Sequence, residues 1–512
     1  MIELWQFYTS HWNDLLVQVI EHLQLSIASV LLACLVAIPS GIFIYRHRFL
    51  SNGVLQFTGI LQTIPSIALL GFMIPVLGIG FKPALVALFI YSLLPILRNT
   101  YLGLAEIDPA VRDSALAMGM TARQRLLKVE LPLAFNSIIA GVRTATVINV
   151  GVATLAAYIA AGGLGEFIFG GIALNNTTMI IAGALPAALL AVLLDSLLGL
   201  LQKFSSSAKL KSALSVLVVG LGLSAAISWQ STSLKAAFPP EFVGRSDGLP
   251  KLEASYQLEI PHLVIAPALM YEALRNGEVS LISGYSTDGR IAAYNLRTLR
   301  DDHRAFPPYE AAILINNHIL EQHPNLRSLL ARLEGIISAE EMRAYNLRID
   351  EGQAPPAAIA KEILKSKGLW AGASADIVKT QTLNIATKTF TEQYLLGHLL
   401  KLYLERHSPM RVELKKGLGG TKICFDALKE GEIDLYVEYS GTAFQVLLEQ
   451  DYQSGYRKDL VFKLCQEGLN EQGLSYLFPL GFDNTYANMM RESEAKAKNI
   501  SRISDLEDYL GK

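Results

Sequence analysis

Up to about residue 230 this chain is written almost entirely in Leu, Ile, Val, Ala and Gly, and that feature constrains its fold more than any other. A helix needs about 20 mostly apolar residues to cross the hydrocarbon of a bilayer. Six stretches meet that requirement: roughly 23–45, 54–78, 83–104, 136–160, 178–202 and 213–230. After residue 230 charged residues return at the density of a soluble protein. Of the 512 residues 51% are apolar, and the excess sits in the first part. The chain therefore divides into a helical membrane half and a water-soluble half.

Charge orients the membrane half. Residues 1–22 carry Glu3, Asp14 and Glu21 and no Lys or Arg, which is unlike the basic start of a cleaved signal peptide. Arg46 and Arg48, then Arg112, Arg123, Arg125 and Lys128, then Lys203, Lys209 and Lys211 fall on one side if six spans alternate. Basic loops mark the cytoplasm. The start of the chain is then expected outside, and the sixth span delivers the soluble half to the extracytoplasmic side of the cell (inner) membrane.

Several function classes are excluded. A formal net charge of -2 gives no basic stripe for a nucleic acid. Of three cysteines, Cys34 lies in an apolar run, and Cys424 and Cys465 lie in helical patterns that bury a thiol, so no structural disulfide is expected. A phosphate-cradling loop places Ser or Thr after its Lys, whereas "KKGLGGTKIC" has Thr421 before Lys422. "GYSTDG" has Asp288 where a nucleophile elbow wants Gly. The nine His form no ligand-spaced cluster. Neither a catalytic site nor a metal or cofactor site is expected.

The middle basic loop carries the most information in the membrane half. In "DSALAMGMTARQRLLKVELP", Gly119 can close one short helix, Thr121 with Gln124 makes a capping box that starts a second, and Pro132 marks the approach to the next span. Here the sequence resembles the permease subunits of binding-protein-dependent ABC importers, whose coupling loop reads Glu-Ala-Ala, then Gly, then Leu-Pro. Asp113, Ser114, Ala115, Gly119, Leu131 and Pro132 occupy those positions, the first two with conservative departures. "QTIPSIALLGFMIP" (62–75) and "GGLGEFIFGGI" (162–172) resemble the osmoprotectant branch. The resemblance implies a permease domain over residues 1–211, a homodimeric pore and a separate ATPase subunit docking on the loop. Residues 212–232 are assigned to the sixth span and linker.

The soluble half resembles the glycine betaine, carnitine and choline type of substrate-binding protein, with its halves exchanged. "ATKTFTEQYLLGHLLKLYLERH", "LGGTKICFDALKEGEIDLYVEYSGTAF" and "GFDNTYANMMR" match that family's first half. "PPEFVGRSDGLPKL", "MYEALRNGEVSLISGYSTDGRIAAY", "DDHRAFPPYEAAILI" and "ISAEEMRAYNLRID" match its second half but come earlier in this chain. The simplest account is a circular permutation over residues 233–512, with the old termini joined through "KSKGLWAGASADIVKTQ" (365–381). The implied fold is an α/β two-lobed binding-protein domain of type II, with lobes at roughly 303–487 and at 233–302 with 488–512. Two half-domains that need partner chains are the alternative.

A quaternary ammonium cannot donate hydrogen bonds, so a protein holds it with aromatic faces. By the resemblance, Tyr285, Tyr309, Tyr439 and Tyr486 stand at cage positions; a half-buried core role is the other reading of each. Thr391, Gln393, Asn484, Thr442 and Arg245 are candidate donors for an anionic end, as are the backbone N–H groups near Thr421. A cap or a lobe-closing contact is the other reading of each, and for Arg245 a salt link to Asp247 or a neighbour stands level with the binding role. The expected function is import of a small quaternary-ammonium solute, with another betaine-like zwitterion such as ergothioneine as runner-up. A membrane-anchored sensor is disfavoured by the coupling loop, and an enzyme on a membrane stalk by the lack of a nucleophile or metal constellation.

Overall fold

The computed structural model describes residues 2–203, 236–371, 381–453 and 455–510. They form two compact units, one of membrane helices and one of mixed strands and helices.

The membrane unit runs α1 (Ile2–Ser10), α2 (Trp12–Arg46), α3 (Arg48–Thr63), α4 (Ser66–Leu77), α5 (Phe81–Ala105), α6 (Pro109–Ala117), α7 (Ala122–Arg125), α8 (Leu131–Ala153), α9 (Gly165–Ala173) and α10 (Thr177–Lys203). Among the described residues, four continuous helical stretches are long and apolar enough to span: Trp12–Arg46, Phe81–Ala105, Ala122–Ile159 and Thr177–Leu200. At 35 residues α2 measures about 52 Å, well beyond a hydrocarbon core of about 30 Å, so it starts earlier than the apolar run alone implies.

The apolar stretch 54–78 is not one straight span. It divides into α3 and α4, bent by 93°. Pro65 lacks an N–H and disfavours helical geometry at the residue before it, and Ile64 is extended at φ -65°, ψ 126°. The Ile64 carbonyl freed by the break accepts from the Tyr91 hydroxyl of α5. The sixth expected span, 213–230, lies outside the described residues, as does the 212–232 linker.

Small residues let α5 pack closely against both neighbours. A Cβ on Gly41 of α2 would sit 2.7 Å from the Thr100 side chain, and one on Gly141 of α8 would sit 2.7 Å from the Pro95 carbonyl oxygen. Such close backbone approach is how helices associate in lipid, where apolar burial gives no driving force between them.

Between α5 and α8 the chain forms a compact knuckle. Asp108 caps α6, accepting from the Ala110 N–H at 2.8 Å. Gly119 ends that helix at φ +74°. Thr121 and Gln124 form the expected capping box in both directions. Arg112 donates to the carbonyls of Ala105 (3.1 Å) and Ile107 (2.6 Å), closing the end of α5 and holding the knuckle against it.

The described residues of the second unit form two five-stranded sheets. The first orders its strands β2 (His262–Val264), β1 (Ala236–Phe238), β3 (Leu281–Tyr285), β10 (Tyr486–Arg491), β4 (Leu296–Thr298). The second orders β7 (Met410–Gly419), β6 (Gln381–Lys388), β8 (Leu435–Tyr439), β5 (Glu310–Asn316), β9 (Leu474–Asp483). The chain passes from first to second sheet between β4 and β5, and returns through Asn484 and Thr485 between β9 and β10. Helices cover both sheets, and β5 and β8 read as near-continuous apolar runs because both faces are buried.

Candidate functional site

The four candidate tyrosines sit where strands of the two sheets end. Tyr285 closes β3 and pairs across the ladder with Tyr486, which opens β10. Tyr439 closes β8 opposite Ala311, two residues after Tyr309 at the entrance of β5. All four rings line one cleft. Phe390, between β6 and the helix Thr391–His407, joins them. Tyr285 stacks on Tyr486 with centroids 5.7 Å apart and on Phe390 at 5.6 Å. Phe390 stacks on Tyr439 at 6.3 Å, and Tyr309 meets Tyr486 edge-on at 5.4 Å. The wall is thus a continuous run of five rings. Burial pushes the Tyr309, Tyr439 and Tyr486 hydroxyls well above the ordinary phenol range, so they stay protonated.

The rest of the cleft is charged and hydroxylated. Arg245 is buried and holds Asp247 with two parallel bonds, Nε to Oδ1 at 2.7 Å and Nη2 to Oδ2 at 2.6 Å. The same guanidinium donates to Thr442 Oγ1 at 2.9 Å, and Tyr309 Oη donates to Asp247 Oδ2 at 2.8 Å. Burial disfavours the Arg245 charge, yet the Asp247 carboxylate prevails and holds its pKa well above the ordinary value. Arg245 thus lines the cleft with its guanidinium salt-linked to Asp247.

Lys388 ends β6 buried. Its Nζ donates to Glu438 Oε1 at 2.6 Å and to Thr421 Oγ1 at 2.9 Å, and lies 5.3 Å from the Tyr439 ring centre. Glu241 approaches the start of the helix Thr421–Lys429, with Oε1 3.5 Å from the Thr421 N–H. The helix terminus expected to face a ligand anion thus already has a carboxylate near it.

Of the other candidates, Asn484 and Thr442 line the cleft with the tyrosines. Gln393 stands behind the wall, where its Nε2 donates to the Val437 carbonyl at 2.9 Å and to Tyr439 Oη at 3.2 Å. Thr391 points elsewhere, donating to Asp350 Oδ1 at 2.5 Å.

Lys388, Phe390 and Glu241 escaped the sequence reading. The first two lie in "TKTFTEQ", beside residues that were singled out. A lysine is ordinarily solvated, and only its place at the end of an inner strand shows that this one is not.

In the membrane unit, Asp113 and Ser114 are exposed on α6, Ala115 is buried beneath them, Gly119 is exposed, and Leu131 and Pro132 open α8. Leu116 (60% exposed) and Met118 (76%) stand out from the same knuckle.

Comparison with known proteins accounts for both halves. Residues 223–366 and 381–511 match the substrate binding domain of the ABC-type glycine betaine transport system, and residues 29–209 match the binding-protein-dependent transport system inner membrane component. The membrane half is 44% identical over 196 residues to a carnitine transport permease protein of Listeria monocytogenes, covering 38% of this chain and 90% of that one. It is 44% identical over 210 residues to a glycine betaine/carnitine/choline transport system permease protein of Bacillus subtilis, covering 41% and 92%. An osmoprotectant import permease protein of Salmonella typhimurium is 48% identical over 187 residues, covering 36% and 87%. The chain belongs to the binding-protein-dependent ABC transport permeases and carries, in the same polypeptide, a substrate-binding domain of the glycine betaine transport family.

Proposed function

We propose that this chain is the permease and the solute receptor of one ABC importer, and that its cargo is a quaternary-ammonium solute of the betaine, carnitine and choline kind. The observation that carries this reading is the five-ring wall of Tyr439, Phe390, Tyr285, Tyr486 and Tyr309. Its π faces attract a methylated cation that has no hydrogen to donate, an attraction worth about 2 kcal/mol or more once water is excluded. The relatives are named for solutes of this class. The hydroxyls of Thr421 and Thr442 beside the rings can donate to an anionic end of the cargo, which keeps betaine-like zwitterions such as ergothioneine in the class, while Arg245 and Lys388 are each already paired with a carboxylate.

The remaining assignments rest on the sequence and the shape of the knuckle. No phosphate-cradling loop is encoded, so a separate ATPase subunit drives the cycle. It docks on the α6–α7 knuckle, with Leu116 and Met118 as apolar contacts. Two copies of the permease half form the pore. The positions of the basic loops put the binding half outside. That half is a single permuted domain, because its motifs sum to one complete binding protein in exchanged order.

Calorimetry tests the cargo and the permutation together, on residues 233–512 and on a rearranged chain of 383–512 followed by 233–365. Both are expected to bind glycine betaine, carnitine or choline with similar affinity and to reject the unmethylated amines glycine and ethanolamine by about 10-fold or more. Equal binding of the unmethylated amines would remove the cage reading. Binding by the natural fragment only as a swapped dimer would replace the permuted domain with paired half-domains.

A further inference from the structure

The carboxylate at the centre of the binding half is Glu392, which lies between two residues that the sequence singled out. It belongs to the first turn of the helix Thr391–His407 and is 2% exposed. Its Oε1 accepts from Tyr439 Oη at 2.5 Å and from Asn484 Nδ2 at 2.9 Å. Its Oε2 accepts from Thr287 Oγ1 at 2.6 Å and from Asn346 Nδ2 at 3.3 Å. All four donors are neutral, so the buried carboxyl is held by hydrogen bonds with no counter-ion, and burial raises its pKa above the ordinary carboxylate range.

The origins of those donors give the carboxylate a role beyond packing. Tyr439 ends β8 and is a wall of the cleft. Asn484 lies in the segment that returns the chain to the first sheet, and its N–H is bonded to the Tyr309 carbonyl at 3.0 Å. Thr287 follows β3 and belongs to the lobe built on the first sheet. Glu392 belongs to the lobe built on the second. One carboxylate therefore fixes a cage ring and bonds across the two lobes.

We propose that Glu392 is a positioning residue that couples closure of the two lobes to the orientation of the Tyr439 ring; this rests on the reading of the cleft as the solute site. Opening the lobes withdraws Thr287 from Oε2 and exposes a buried carboxyl group to water. Closing them returns Thr287, and the Tyr439 hydroxyl is then held on one side by Glu392 and on the other by Gln393. Part of the solute affinity is thus stored in a contact that does not touch the solute.

The test uses the full chain in lipid nanodiscs with spin labels on Lys496→Cys and Glu413→Cys, exposed positions of the first-sheet and second-sheet lobes. The native cysteines are buried and leave labelling selective. Glycine betaine, carnitine and choline are the probes, and the variants are Glu392→Gln and the nearly isosteric Thr287→Val. With the unmutated residues, saturating probe is expected to shorten and narrow the interlobe distance. In both variants affinity is expected to fall roughly 5- to 30-fold, with the distance distribution still broad at saturation, a readout that loss of packing alone leaves unchanged. If both variants close fully and bind within about 2-fold of the parent, the coupling is overturned while the solute site stands. If the parent itself binds none of the three probes, the solute site and the coupling fail together.

Discussion

Two of the four cleft tyrosines have hydroxyls committed to carboxylates, Tyr309 to Asp247 and Tyr439 to Glu392, and this divides them chemically. Tyr→Phe at either position keeps the ring but leaves a buried carboxylate short of a donor, at about 1.5–3 kcal/mol or on the order of 10-fold or more in affinity. At Tyr285 and Tyr486, which act through stacking on each other, Phe is expected to hold affinity within about 3-fold. Tyr→Ala removes a wall and is expected to cost about 1–2 kcal/mol or more at Tyr285 and Tyr486, and more than the Phe variant does at Tyr309 and Tyr439, where the hydroxyl is lost as well. Titration calorimetry of the eight variants checks the pattern, and four equal Phe variants would contradict it. The tyrosines that line the cleft stood out in the sequence because each lies in a motif resembling the binding-protein family, three of them at strand ends. Lys388 and Glu392 were not, because a charged side chain reads as solvated until strand pairing and the partner lobe bury it. Phe390 just ahead of a helix reads as ordinary packing.

The knuckle between α5 and α8 shows what local rules can and cannot deliver at the scale of an element. Gly119 and the Thr121–Gln124 box are visible in sequence because caps and left-handed positions depend on neighbours a few residues away. The bend between α3 and α4 was missed because a hydropathy window counts apolar side chains and is blind to the hydrogen bond that Pro65 removes. At Gly119 a Cβ would meet nothing within 4 Å, so the cost of substitution lies in the backbone, at φ +74°. Gly119→Val, β-branched and poorly suited to that region, is expected to lower uptake at least 10-fold with solute binding unchanged, whereas Gly119→Asn, which tolerates it, should retain most uptake. Transport by the Val variant at the parent rate would remove the coupling role of this turn.

At the scale of the whole molecule, the division into a membrane half and a water-soluble half was legible from hydropathy alone, and the resemblance of the motifs made the second a binding domain. The two sheets show why finer reading needed motifs. Each sheet mixes strands from distant parts of the chain, β10 entering between β3 and β4, and β5 between β8 and β9. Periodicity carries no information about such long-range order. The exchanged sequence of motifs is what suggests that the binding half is one domain cut at a new place, with little thermodynamic penalty because closure entropy depends weakly on loop length. A covalently attached receptor also stays near its permease at an effective concentration set by the linker, of order mM for a short flexible one.

The central claim, that receptor and permease act within one chain on a quaternary-ammonium solute, is tested most directly by uptake in the native host deleted for its own copy. Labelled glycine betaine, carnitine and choline are supplied to cells carrying the full chain, the chain ended at residue 211, or the full chain with Tyr285→Ala and Tyr439→Ala. The account predicts uptake of at least one of the three solutes by the full chain and a loss of about 10-fold or more in both altered forms. Uptake by the shortened chain at the rate of the full one would contradict it.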